Sequence, residues 1–283
     1  SAAAITSGAR NVIIGHEAAD AATTPYRCVI IGDGAAGIGV LTGNDNIVIG
    51  GAAGEDLTEG ATNILVGYKA GGNITTASAS IFIGYESGLN LTTQTENIGI
   101  GYRSGYALTG TENTMLGYKS NLNGTSSNGN TIIGHNAVGA GVLTGDNNVV
   151  IGKLAGNDMT SANANVLIGE DAAANLTTGV ANVVIGQGAA EALTTGTYNI
   201  YMGVNAGNGH DTEGSNIGIG FDALGGAVAG GENNVALGIY ALDALTSGDY
   251  NNAIGYQALS NLTTGTQNVA IGRLAGDAVT DET

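Results

Sequence analysis

The sequence predicts an all-β parallel solenoid. Three observations predict it: a phrase whose commonest form is N-x-x-I-G and whose glycine returns sixteen times, near-constant spacing between those glycines, and a composition with 50 glycines but a single proline, Pro25. The glycines are Gly15, Gly32, Gly50, Gly67, Gly84, Gly101, Gly117, Gly134, Gly152, Gly169, Gly186, Gly203, Gly220, Gly238, Gly255 and Gly272, and eleven of the fifteen intervals are 17 residues, three 18 and one 16. A repeat this short holds one small unit that cannot bury an apolar face alone, so neighbouring copies must stack. No composition shift interrupts the series, so the chain reads as one repeat domain over 1–283, with about sixteen coils over roughly 11–276.

Each column of the repeat has a physical reading, numbered here from its glycine. The residue one before is always large and apolar, and the residue three before is Val or Ile in thirteen of sixteen copies. That i, i+2 pattern of β-branched residues describes a strand with one buried face. The glycine after it permits a positive-φ corner. Four before stands Asn in fourteen copies, replaced by Cys28 and Ser80. Asn tolerates the left-handed region and can bond its own backbone, and stacked copies can form an amide ladder. Three after the glycine is always Ala or Ser, the mark of a tight inner corner. An aliphatic residue followed by Thr, as in Leu91-Thr92, Leu176-Thr177 and Leu262-Thr263, predicts a second short strand with its aliphatic side chain inward.

The column two before the glycine then falls on the opposite face of the first strand. It holds Ile13, Ile30, Val48, Leu65, Phe82, Gly99, Met115, Ile132, Val150, Leu167, Val184, Tyr201, Gly218, Ala236, Ala253 and Ala270, with no charge anywhere in it. Facing outward, it would expose an apolar stripe larger than soluble monomers tolerate. The expectation is self-association as a parallel homotrimer with this column against the axis. Its small residues after Gly218 predict a closer approach of the chains there.

The charge balance narrows the partners. Net charge is −17, from 24 acids against seven bases, so nucleic acid and anionic membrane surfaces are repelled. No apolar run is long enough for a membrane-spanning helix, so no membrane insertion is expected. Cys28 stands alone, which excludes an internal disulfide framework and a Cys-based metal site. The opening SAAAITSGAR lacks the pattern of a signal peptide.

Stretches such as NVAIG, GYKAG, GYESG, GYRSG and LTTGTQNVAIG resemble the head repeats of trimeric autotransporter adhesins of the YadA type. They resemble still more the G-Y-x-A-G…T-T-G-x-x-N repeats of phage tail fibres and some bacterial surface proteins. The resemblance implies a left-handed β-roll in a parallel homotrimer that attaches to a cell-surface glycan or protein receptor. It places the chain on a virion surface or a bacterial cell surface. The autotransporter repeat is shorter, and its Asn lies one residue further from the glycine. The close in AVTDET, mid-repeat, is what a cleaved C-terminal chaperone domain or a trimmed end would leave.

Motifs that suggest enzymes are explained by the repeat. Gly32-Asp33-Gly34-Ala35-Ala36-Gly37 has the spacing of a dinucleotide loop, but every copy places small residues after a strand and no helical pattern follows. His16, His135 and His210 are scattered without partners at ligand spacing, and the nonapeptide of calcium-binding solenoids is missing. No catalytic residue, cofactor or metal is expected. The strongest local feature is Tyr68-Lys69, Tyr85-Glu86, Tyr102-Arg103 and Tyr118-Lys119, one pair in each of four consecutive coils. These should form parallel ladders of rings and charges, and the rings with Lys69, Arg103 and Lys119 are the expected ligand-binding residues. Two other functions compete with attachment. A Thr column, including Thr58, Thr75, Thr92, Thr160, Thr177 and Thr194, suggests ice binding, though the neighbouring column alternates between Thr and Gly. A passive spacer without a ligand is the third.

Overall fold

A computed structural model describes residues 5–226 and 231–279. The chain divides into two compact units, Ser1–Thr144 and Gly145–Thr283. Each is a parallel β-solenoid, and no helix occurs among the described residues. The first unit carries eight three-residue strands, from β1 (Val12–Ile14) through β5 (Ile81–Ile83) to β8 (Thr131–Ile133). The second carries eight more, from β9 (Val149–Ile151) through β10 (Val166–Ile168) to β16 (Val269–Ile271). Within a unit every strand pairs in parallel with the same strand of the next coil, column on column: Val149 opposite Val166, Val150 opposite Leu167.

The glycine column is required by this stacking. Its φ values run from 128° to 144°, and a β-carbon on Gly152 would lie 2.1 Å from the carbonyl oxygen of Gly169. Three further positions per coil adopt the left-handed region: five before the glycine, two after and four after, as at Arg27, Lys69 and Ala173. The Asn four before the glycine is not one of them. It extends into the interior, where its side chain does the work expected of a ladder.

Asn182 illustrates that ladder. Its Nδ2 donates to the carbonyl of Gly196 at 2.9 Å and to Asn165 Oδ1 at 3.1 Å. Its Oδ1 accepts from the backbone N–H of Asn199 at 2.9 Å and from that residue's Nδ2 at 3.1 Å. Each buried amide therefore closes its own coil and ties it to both neighbours. Ser80 and Cys28 keep one rung of the ladder at the backbone, where their N–H groups donate to Asn63 Oδ1 and Asn11 Oδ1.

The strand phase is the reverse of the expected one. Ile30, Val48, Leu65, Phe82, Met115, Ile132, Val150, Leu167, Val184, Ala236 and Ala253 are wholly buried inside their own chain, and Ala270 nearly so. Ile13 is half-buried. Side chains enclosed within one chain cannot line an axis between chains, so the proposed trimer axis is wrong in its residues. The columns one and three before the glycine face outward instead, at 37% exposure for Ile47 and 43% for Leu116. Strand alternation fixes this outcome: once the Asn is inward, the residue two further on shares its face.

The small residues after Gly218 are corrected too. They do not bring chains closer, because the coil interior is filled from the other side. Where the strand offers Gly218, Ala236 or Ala253, the residue four after the coil's glycine is Leu224, Leu242 or Leu259, all buried. Where the strand offers Phe82 or Tyr201, that residue is Gly88 or Gly207. The aliphatic residue before Thr is buried as expected, as at Leu91, Leu176 and Leu193. Its segment is not a second strand, however. It forms bends and turns joined coil to coil by single bonds such as Thr58 N–H to the Thr75 carbonyl, 3.0 Å.

Candidate functional site

The residue just after each glycine leaves the strand at a corner and projects to the surface. In four consecutive coils of the first unit this residue is Tyr68, Tyr85, Tyr102 and Tyr118, and in the fifth it is His135. Their rings form one stack, with centroids 5.3, 5.3, 5.2 and 4.9 Å apart and interplanar angles of 24°, 10°, 11° and 10°. The spacing follows from the coil-to-coil distance of about 4.8 Å. His135 extends the expected four-Tyr ladder by one ring, and its place in the same column is the signal for it.

The charged ladder lies one column further on, at left-handed positions: φ is 52° at Lys69, 51° at Glu86 and Arg103, and 52° at Lys119. Arg103 Nε meets Glu86 Oε2 at 2.6 Å, and the carboxylate raises the arginine's pKa. Lys69, Arg103 and Lys119 each sit near their own Tyr ring, 5.8, 5.4 and 5.2 Å from its centroid, and Arg103 also lies 5.1 Å from Tyr106. Among the described residues neither Lys69 nor Lys119 has a carboxylate within salt-bridge distance. Burial against its neighbours, with Glu86 beside it, raises the Tyr85 pKa, so the phenol stays protonated and able to donate.

All seven expected ligand residues are thus brought together on one ridge. Their availability differs from expectation. A ring stacked on both sides offers solvent its edge and hydroxyl but neither face. Tyr85, Tyr102 and Tyr118 are in that position. Tyr68 ends the stack, and beyond it the column holds Gly51.

Elsewhere the bases follow the same habit. Arg10 and Arg27 lie over Tyr26 at 5.5 and 4.8 Å, Arg27 Nε is bonded to Asp45 at 2.6 Å, and Arg273 lies over Tyr256. Lys153 pairs with Glu170 at 2.6 Å. The dinucleotide-like run Gly32–Gly37 is a strand end followed by a turn. Among the described residues no three His, Cys, Asp or Glu side chains gather closely enough to hold a metal ion. Several hydroxyls of the Thr column are not free: Thr58, Thr75, Thr160 and Thr177 donate to the carbonyl of the Thr in the next coil, at 3.0–3.2 Å. Hydroxyl hydrogens spent on the backbone cannot order a water lattice, which weighs against ice binding.

No protein-family model matches the chain, and no curated protein resembles it significantly.

Proposed function

We propose that the chain is a segment of an attachment fibre, a left-handed β-roll that self-associates as a parallel homotrimer and binds a glycan or protein receptor on a cell surface. The observation that carries the proposal is the ridge from Tyr68 to His135. It is an ordered row of partly exposed rings flanked by cations, on a chain of net charge −17. Aromatic and cationic side chains held at fixed spacing cost little conformational entropy on binding. The homotrimer is supported by the outward strand columns. Ile14, Ile47, Ile83, Leu116, Met202 and Ile254 are each more than a third exposed in the single chain. Apolar columns left this exposed are normally covered by a partner. The resemblance to tail-fibre and adhesin repeats points the same way, and with it to a virion or bacterial surface.

Binding of the intact oligomer to a glycan array and to a panel of bacterial cells tests the reading. The expected result is selective binding that falls sharply in the double variant Tyr102→Ala, Arg103→Ala while the oligomer persists. Binding to no cell and no glycan would contradict it.

A further inference from the structure

The column that forms the ring stack has one gap with a ring on only one side. Asp33, Gly51 and Tyr68 are successive members of that column. Tyr68 is covered on one face by Tyr85, 5.3 Å away. On its other side the column holds Gly51, whose β-carbon position lies 3.4 Å from the ring, so no side chain of this column covers that face. Lys69 Nζ lies 5.8 Å from the Tyr68 centroid, no nearer than Arg103 and Lys119 lie to rings that are covered on both faces. Across the gap, two coils or about 10 Å from Tyr68, stands the exposed carboxylate of Asp33. His16 steadies it, with Nδ1 3.0 Å from Asp33 Oδ1. The second carboxylate oxygen remains an acceptor.

We propose that the notch left by Gly51 between Asp33 and Tyr68 is a sugar subsite that seats one pyranose ring, its apolar C–H face on Tyr68 and its hydroxyls donating to Asp33. The three parts have separate jobs. A free aromatic face takes the C–H edge of a sugar, because its electron-rich surface attracts the weakly positive hydrogens. The remaining oxygen of the Asp33 carboxylate accepts a hydroxyl, a donor that every face of a sugar ring carries. The missing side chain at Gly51 leaves a space one coil wide, enough for a single ring. The inference rests on the reading of the chain as an attachment fibre and names the class of ligand that one point of the ridge would take.

The test uses the intact oligomer and three probes: methyl β-galactoside, methyl β-glucoside and methyl α-mannoside. Saturation-transfer NMR should show transfer from the protein to the C–H protons of at least one of them. Gly51→Tyr extends the ring stack by one coil and plugs the notch. The same column accepts Tyr in the next four coils, so the fold should survive. Transfer should then fall about two- to tenfold, the size of an aromatic contact's loss. Tyr68→Ala should lose it equally, and Tyr250→Ala, in the second unit, should not. No transfer to any probe from the unmodified protein overturns the proposal, as does undiminished transfer in Gly51→Tyr. Cell binding separates the two readings. An unmodified fibre that binds cells, with Gly51→Tyr binding as well, removes the notch and leaves attachment standing; an unmodified fibre that binds no cell removes attachment itself.

Discussion

The ring of Phe82 occupies the space that a β-carbon on Gly88 would need, with the nearest ring atom 2.4 Å from that position. The same relation recurs between Tyr201 and Gly207, again at 2.4 Å. Each ring also reaches over the next coil, where Gly99 and Gly218 leave room for it. The interior is thus partitioned coil by coil between the strand and the turn that faces it.

Gly88→Ala should therefore destabilise the first unit by about 1–3 kcal/mol, the usual range for overpacking. The left-handed backbone alone does not forbid Ala, since Ala19, Ala36 and Ala173 adopt it at the same position. Combining it with Phe82→Leu recreates the pairing of Leu167 with Ala173. A denaturation double-mutant cycle should show the two substitutions coupling favourably.

Strand phase gives a second prediction. Leu167→Asp buries a carboxylate with no partner and should cost more than about 4 kcal/mol, unfolding the coils around β10. Ile168→Lys, one residue along and outward, should leave the circular dichroism spectrum intact and weaken self-association. Equal damage from both would contradict the phase.

The amide ladder gives a third. Asn182→Ala would strand the carbonyl of Gly196 and the N–H of Asn199 in the interior. A loss of about 2–5 kcal/mol is expected from two unsatisfied buried groups. Thermal unfolding checks it, with the solvent-facing Ser161→Ala as reference.

A buried histidine supplies a pH dependence. His210 packs against Tyr201, whose hydroxyl is hydrogen-bonded to its Nδ1, while its Nε2 has no hydrogen-bond partner. Burial pushes its pKa from 6.5 down to about 4, against a weaker upward pull from Asp211; Glu213 is also buried nearby. The fold holds the neutral ring, so between those two pH values the unfolded chain binds the extra proton. Stability should fall as pH drops through that window, by about 1.4 kcal/mol per pH unit from this group. His210→Gln should flatten the slope of unfolding free energy against pH between 6.5 and 4.

Much of this was legible in the sequence. The glycine period dictates coil length, and the Ala or Ser three residues on marks the inner corner. The four-Tyr ladder could be read from its spacing alone. Strand phase could not be read from the apolar residues, because all three strand columns are apolar, as in any strand covered on both faces. The deciding signal was the Asn column. Amides that hydrogen-bond only along a ladder must be shielded from water, which places Asn46, and with it Val48, inside. The segment around Leu91-Thr92 has the chemistry of a second strand, yet the left-handed residues in each coil break the chain into turns around it. The uncovered face of Tyr68 depends on which ring faces are occupied, and spacing alone does not report that.

In each unit the outward apolar column, Ile14, Ile83 and Leu116 in the first and Met202 and Ile254 in the second, should be covered by identical chains. Sedimentation equilibrium tests it most directly. The expected mass is about 83 kDa, three times the 27.8 kDa chain, falling toward one chain in Ile168→Lys with Ile185→Lys. A folded species of 27.8 kDa at micromolar concentration for the unmodified protein would contradict it.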